Sequence, residues 1–159
     1  MRVGLCLAFS AVVVVAGGCA RPSDEEVLRR TFAIPQAAKL LSLEATPKRA
    51  DRPGREGLRI DAVFGFGPDE LAAYRVRLEK DPSWRPLPPV EEVLRRLPAS
   101  GPLPLDAKSG VWTCRTAGND LMHARKSDCM NRPGNLADFM LAVLDADRRV
   151  LRVRVKTTY

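Results

Sequence analysis

The sequence predicts an α+β domain: an antiparallel sheet of about five strands with two or three helices mainly on one face. Three observations predict it. Residues 58–66 and 150–155 alternate apolar and polar side chains with the period of a half-buried strand. Ser23-Asp24-Glu25-Glu26 and Gly67-Pro68-Asp69-Glu70 are helix starts, the first a capping box, the second with proline at the first helical position and acids facing the dipole. Strand-like stretches come in runs separated by helices, not in strict alternation, which favours antiparallel pairing.

In chain order, the helix opened by Ser23 carries Val27, Leu28 and Phe32 on one side and ends by Pro35. Residues 37–46 alternate after Lys39, with Leu41, Leu43 and Ala45 expected inward and Ser42 and Glu44 outward. Residues 47–56, with two prolines and a glycine, are expected to form a basic loop joining two antiparallel strands. The strand at 58–66 points Leu58, Ile60, Ala62, Phe64 and Phe66 one way. A second helix follows with Leu71, Tyr74 and Leu78 inward. Trp84 sits among four prolines at 81–89 and is expected to plug the edge of the core. A short helix is expected at 90–97, a Pro/Gly loop at 98–110, and a strand at 111–117 rich in β-formers. Residues 138–145 are apolar on both faces, as an interior strand would be. After a turn, 150–155 place Leu151, Val153 and Val155 inward and leave Arg152, Arg154 and Lys156 as a basic ladder outside.

The first nineteen residues carry an address. Arg2 gives a positive start, residues 3–15 are an uncharged apolar run, and Ala16-Gly17-Gly18 is a small-residue cleavage region before Cys19. This ending resembles the lipobox of bacterial lipoproteins. The resemblance implies a signal peptide at 1–18, a lipid (palmitate among its chains) on Cys19, a short tether at 19–22 and a single periplasmic domain at 23–159. With Ala20 after the cysteine, it further implies an outer-membrane protein facing the periplasm in a host with two membranes. Two other outcomes fit the same residues: ordinary cleavage after Gly18 and release, or retention of an uncleaved helix over residues 3–20, just long enough to span a bilayer. Lipidation accounts best for the four cysteines. Cys6 leaves with the signal, Cys19 takes the lipid, and Cys114 and Cys129 remain as an even pair expected to form one disulfide in an oxidising compartment.

Removing residues 1–18 leaves 141 residues, enough for one domain with a real core. Only Arg2 is lost among charged groups, so 25 basic against 19 acidic residues give +6. A basic protein at a membrane surface is drawn to anionic phospholipid or cell-wall polymer. Nucleic acid is a poor partner for a secreted chain. Candidate binding residues are the Arg152, Arg154, Lys156 ladder and Arg125 and Lys126 between the cysteines. No cofactor or metal is expected: His123 is the one histidine, and no zinc-ligand spacing, phosphate loop or nucleophile elbow occurs. The sequence therefore favours a non-enzymatic interaction or structural module of the envelope. A small-ligand carrier, with residues 58–66 lining a pocket, is one alternative. An envelope hydrolase is another and would need two carboxylates converging in a cleft. The sequence assigns no oligomeric state.

Overall fold

In the computed structural model the described residues are 22–46, 57–89, 91, 107–116, 129 and 139–157. They form two helices and a six-stranded, wholly antiparallel sheet: α1 (Asp24–Thr31), β1 (Lys39–Thr46), β2 (Arg59–Gly65), α2 (Pro68–Glu79), β3 (Arg85–Pro86), β4 (Gly110–Thr116), β5 (Phe139–Asp145) and β6 (Val150–Lys156). The spatial order is β1-β2-β6-β5-β4-β3. The β1–β2 pair is made first, and α2 then carries the chain across to the opposite edge. The last four strands return as a meander until β6 closes on β2.

Both helices start where local chemistry demands. The Ser23 hydroxyl accepts the Glu26 amide at 3.2 Å while the Glu26 carboxylate takes the Ser23 amide at 2.7 Å, completing the capping box. At α2, Pro68 occupies the first turn and the Glu70 carboxylate reaches back to the Gly67 amide at 2.9 Å. Leu28 of α1 and its C-cap Phe32, and Leu71, Tyr74 and Leu78 of α2, share one core with Ile60, Ala62, Phe64, Leu151, Val153 and Val155, so both helices lie on the same face of the sheet. Trp84 joins that core edge-on to Phe32, with ring centroids 6.4 Å apart, which is the plug expected of it.

A second, smaller core lies on the opposite face, beneath β4 and β5. Trp112, Cys114, Cys129, Phe139, Leu141 and Val143 build it. The Cys114–Cys129 disulfide is formed, with Cα atoms 5.4 Å apart, and the Cys129 amide also donates to the Cys114 carbonyl at 3.1 Å. Every residue of β5 is buried because it serves both cores, which explains its unbroken apolar run.

Two expectations are corrected. The sheet has six strands rather than about five, because the proline-rich segment lays Arg85 and Pro86 against Trp112 and Val111. Leu41 does not face the core. A bulge between Leu40 and Ser42 leaves it without a partner on β2 and 53% exposed, and Leu40 packs inward in its place, while Leu43 and Ala45 face the core as expected. Leu41 lies over Gly65, where a Cβ would come within 3.0 Å of its side chain. The helix expected at 90–97 and the loops at 47–56 and 98–106 fall outside the described residues, apart from Glu91, which is helical.

Candidate binding face

Pairing register decides what the ladder on β6 meets on the sheet face away from the helices. Three rows cross β1, β2 and β6 on this face: Thr46–Arg59–Lys156, Glu44–Asp61–Arg154 and Ser42–Val63–Arg152. On β5 the same rows continue into Phe139, Leu141 and Val143, the apolar side chains of the smaller core. The face is thus split lengthwise, with one half sealed under the disulfide and the other half charged.

Arg152, Arg154 and Lys156 do share one face, but they are not three equivalent surface cations. Arg154 is buried, 9% exposed, and its Nε donates to Asp61 Oδ1 at 2.6 Å. Arg59 Nε donates to the other oxygen, Oδ2, at 2.7 Å, so one carboxylate is held between two guanidinium groups. Neither Arg152 nor Lys156 is ion-paired among the described residues. The buried Nε of Arg152 has no hydrogen-bond partner. Its cross-strand neighbours, Val63 and Val143, offer no acceptor side chain.

Two adjoining grooves run over these rows. One, of about 320 Å³, has Ser42, Glu44, Asp61, Arg152 and Arg154 in its lining. The other, of about 540 Å³, continues past Glu44, Arg59 and Asp61 to Lys156 and Thr157. Glu44 stands opposite Asp61 across β1 and β2, so the groove does hold two neighbouring carboxylates. Both oxygens of Asp61 are engaged by arginine, and Glu44 is exposed to solvent.

No family model, curated protein or solved structure matches the chain.

Two buried arginines on the helix side escape any reading of local pattern. Arg29 donates to Glu25 and to the carbonyls of Pro35 and Ala38, at 2.7 to 2.9 Å, and stacks over Phe64. Arg115 on β4 donates to the Thr31 carbonyl and the Ser83 hydroxyl, lies 3.6 Å from Asp81 and covers Phe32. Burial lowers the pKa of Arg115, and Asp81 and Tyr74 offset part of that. The Tyr74 hydroxyl donates to the Phe32 carbonyl at 2.8 Å; burial pushes its pKa up, against a smaller pull downward from Arg77 and Arg115. These groups tie α1 to α2 and β4. The nearest sequence signal for Arg115 is its position two residues after Thr113 on the same strand face.

The remaining sequence candidates divide as follows. Cys19, His123, Arg125 and Lys126 lie outside the described residues. Ile60 and Phe64, on the strand considered as a carrier's pocket wall, are fully buried in the main core. Among the described residues there is no group of three or more His, Cys, Asp or Glu side chains placed to hold a metal ion, and no helix long and apolar enough to cross a membrane.

Proposed function

We propose that this chain is a lipid-anchored envelope protein that acts as a non-enzymatic interaction module, presenting the β1–β2–β6 face to an envelope component. The observation that carries the reading is the uneven charge of that face. Arg154 and Arg59 share the Asp61 carboxylate, with Glu44 opposite it, whereas among the described residues neither Arg152 nor Lys156 is ion-paired.

The lipobox-like ending supports the anchored part of the reading. Only Ala20, Arg21 and Pro22 separate Cys19 from Ser23, a reach of roughly 10 Å for three extended residues. Because α1 is docked through Leu28, Phe32 and the pinned Arg29, so short a tether would hold the folded domain close to the bilayer. Ala20 favours the outer membrane, facing the periplasm.

Intact mass measurement without reduction, on protein purified from host membranes, tests the anchor. A lipid adduct on Cys19 and a mass two units below the reduced form are expected; an unlipidated species beginning at Cys19 would refute anchoring. For the face, Arg152→Glu with Lys156→Glu is the appropriate charge reversal, since reversing Arg154 would also break its pair with Asp61. A double variant that co-purifies every wild-type partner would exclude this surface.

A further inference from the structure

We infer that the groove along β6 takes a linear anionic polysaccharide, gripping acidic groups at its two ends and sugar hydroxyls between them. This deepens the reading of the face as a binding surface and rests on it.

The charge pattern along β6 carries the inference. Arg152 and Lys156 are four residues apart on one strand face, about 13 Å at the ~3.3 Å rise of a strand. Midway, Arg154 and Arg59 share the Asp61 carboxylate and Glu44 stands opposite Asp61, so two cations and two carboxylates leave the middle without net charge. The groove therefore presents two available cations separated by a satisfied ion cluster.

A nucleic-acid strand carries a phosphate every ~3.4 Å along its axis and would put unpaired phosphates over that middle. A polymer with sparser acids matches the spacing. At one end, Arg152 is only partly buried and lines the smaller groove, so its guanidinium can meet an oxyanion there. Guanidinium suits this task, because its fork meets carboxylate or phosphate with two parallel bonds. Along the β1 side, Ser42, Glu44 and Thr46 line the two grooves. They supply hydroxyls and a carboxylate, the partners that sugar hydroxyls require. With about 320 and 540 Å³, the adjoining grooves each fall within the ~300–1,000 Å³ of ordinary ligand sites, and together they follow the strand as a channel for a chain-like ligand.

The test is calorimetric titration of the full chain, purified in nonionic detergent, with a hyaluronan octasaccharide, which has one carboxylate on every second sugar. Binding is expected for the wild type and none for a neutral dextran of equal length. Arg152→Gln and Lys156→Gln should each weaken binding about tenfold or more. Among the described residues neither side chain has an ion pair to lose, so both variants should melt like the wild type, which separates lost binding from lost folding. Wild-type affinity in both variants, or equal binding of dextran, would overturn the inference. So would capture by phosphatidylglycerol vesicles in place of the oligosaccharide, since that would make the face a membrane contact. Cleavage of hyaluronan that disappears in Glu44→Gln would support the site while refuting the non-enzymatic reading. An unlipidated Cys19 with hyaluronan binding intact would refute the anchor and leave the groove assignment standing.

Discussion

Replacing Tyr74 by phenylalanine isolates one buried hydrogen bond. The ring stays stacked on Phe66, with centroids 5.1 Å apart, so little apolar packing changes. What disappears is the hydroxyl that donates to the Phe32 carbonyl at 2.8 Å, between two residues that are 0% and 1% exposed. A buried acceptor left without its donor costs roughly 1–3 kcal/mol, so about 2 kcal/mol is expected near neutral pH. For a domain of this size that is a drop in Tm of roughly 6–10 °C.

The same residue predicts a pH dependence. Burial raises the folded-state pKa of Tyr74 above its ordinary value near 10, despite the downward pull of Arg77 and Arg115. Above pH 10 the unfolded chain loses this proton and the folded chain keeps it. The unfolded state then binds fewer protons, so stability falls as pH rises, by about 1.4 kcal/mol per unit until the folded pKa is reached. Tyr74→Phe lacks that loss. Its deficit of about 2 kcal/mol at pH 8 should therefore shrink by about 1.4 kcal/mol at pH 11. Denaturant melts of both proteins at the two pH values measure this. A variant as stable as the wild type at pH 8, or a deficit that does not change with pH, would refute the argument.

Four further outcomes follow from the packing. Replacing Cys114 and Cys129 by serine should cost about 3 kcal/mol, the chain-entropy figure for closing a loop of fifteen residues, measured as the difference in denaturant midpoint. Gly110→Ala should destabilise by more than about 3 kcal/mol and yield little folded protein, because Gly110 has φ of 137° and a Cβ there would overlap the Leu144 carbonyl. Asp61→Asn should cost about 1–2 kcal/mol by thermal melting. Arg154 loses its ionic partner, but the site is partly open to water and an amide oxygen still accepts one bond. Leu41→Ala should shift stability by less than about 0.5 kcal/mol and Leu151→Ala by about 2–5 kcal/mol, a contrast that checks the bulge in β1.

What local pattern encodes was legible. The two faces of residues 58–66, the capping box at Ser23, the proline start of α2 and the continuous apolar run of β5 each depend on neighbours within a few residues, and each is found. Leu41 shows where periodicity stops working. Alternation by two assumes an unbroken ladder, and one extra residue moves everything on its near side to the other face. Strand β3 is two residues among prolines and has no pattern to read. The arginines were illegible for a different reason. Arg115 meets Thr31, 84 residues away in sequence, and Arg154 meets Asp61, 93 residues away. The residue type gives charge; the register decides whether that charge is spent inside the domain or left outside it.

That distinction bears on the function proposed for the face. A basic ladder on a strand is ordinarily a solvated surface, and exposed lysines and arginines contribute little by themselves. In this fold the open part of the face lies beside a sealed half, clamped at Cys114 and Cys129, so β6 is fixed between two rigid neighbours and its side chains cannot drift apart. The central arginine is locked by Asp61. The outer two project at a set spacing from one strand. A face that only kept the protein soluble would need no fixed spacing. A face that holds an extended anionic ligand would use that spacing, and α1 packs on the opposite side of the sheet.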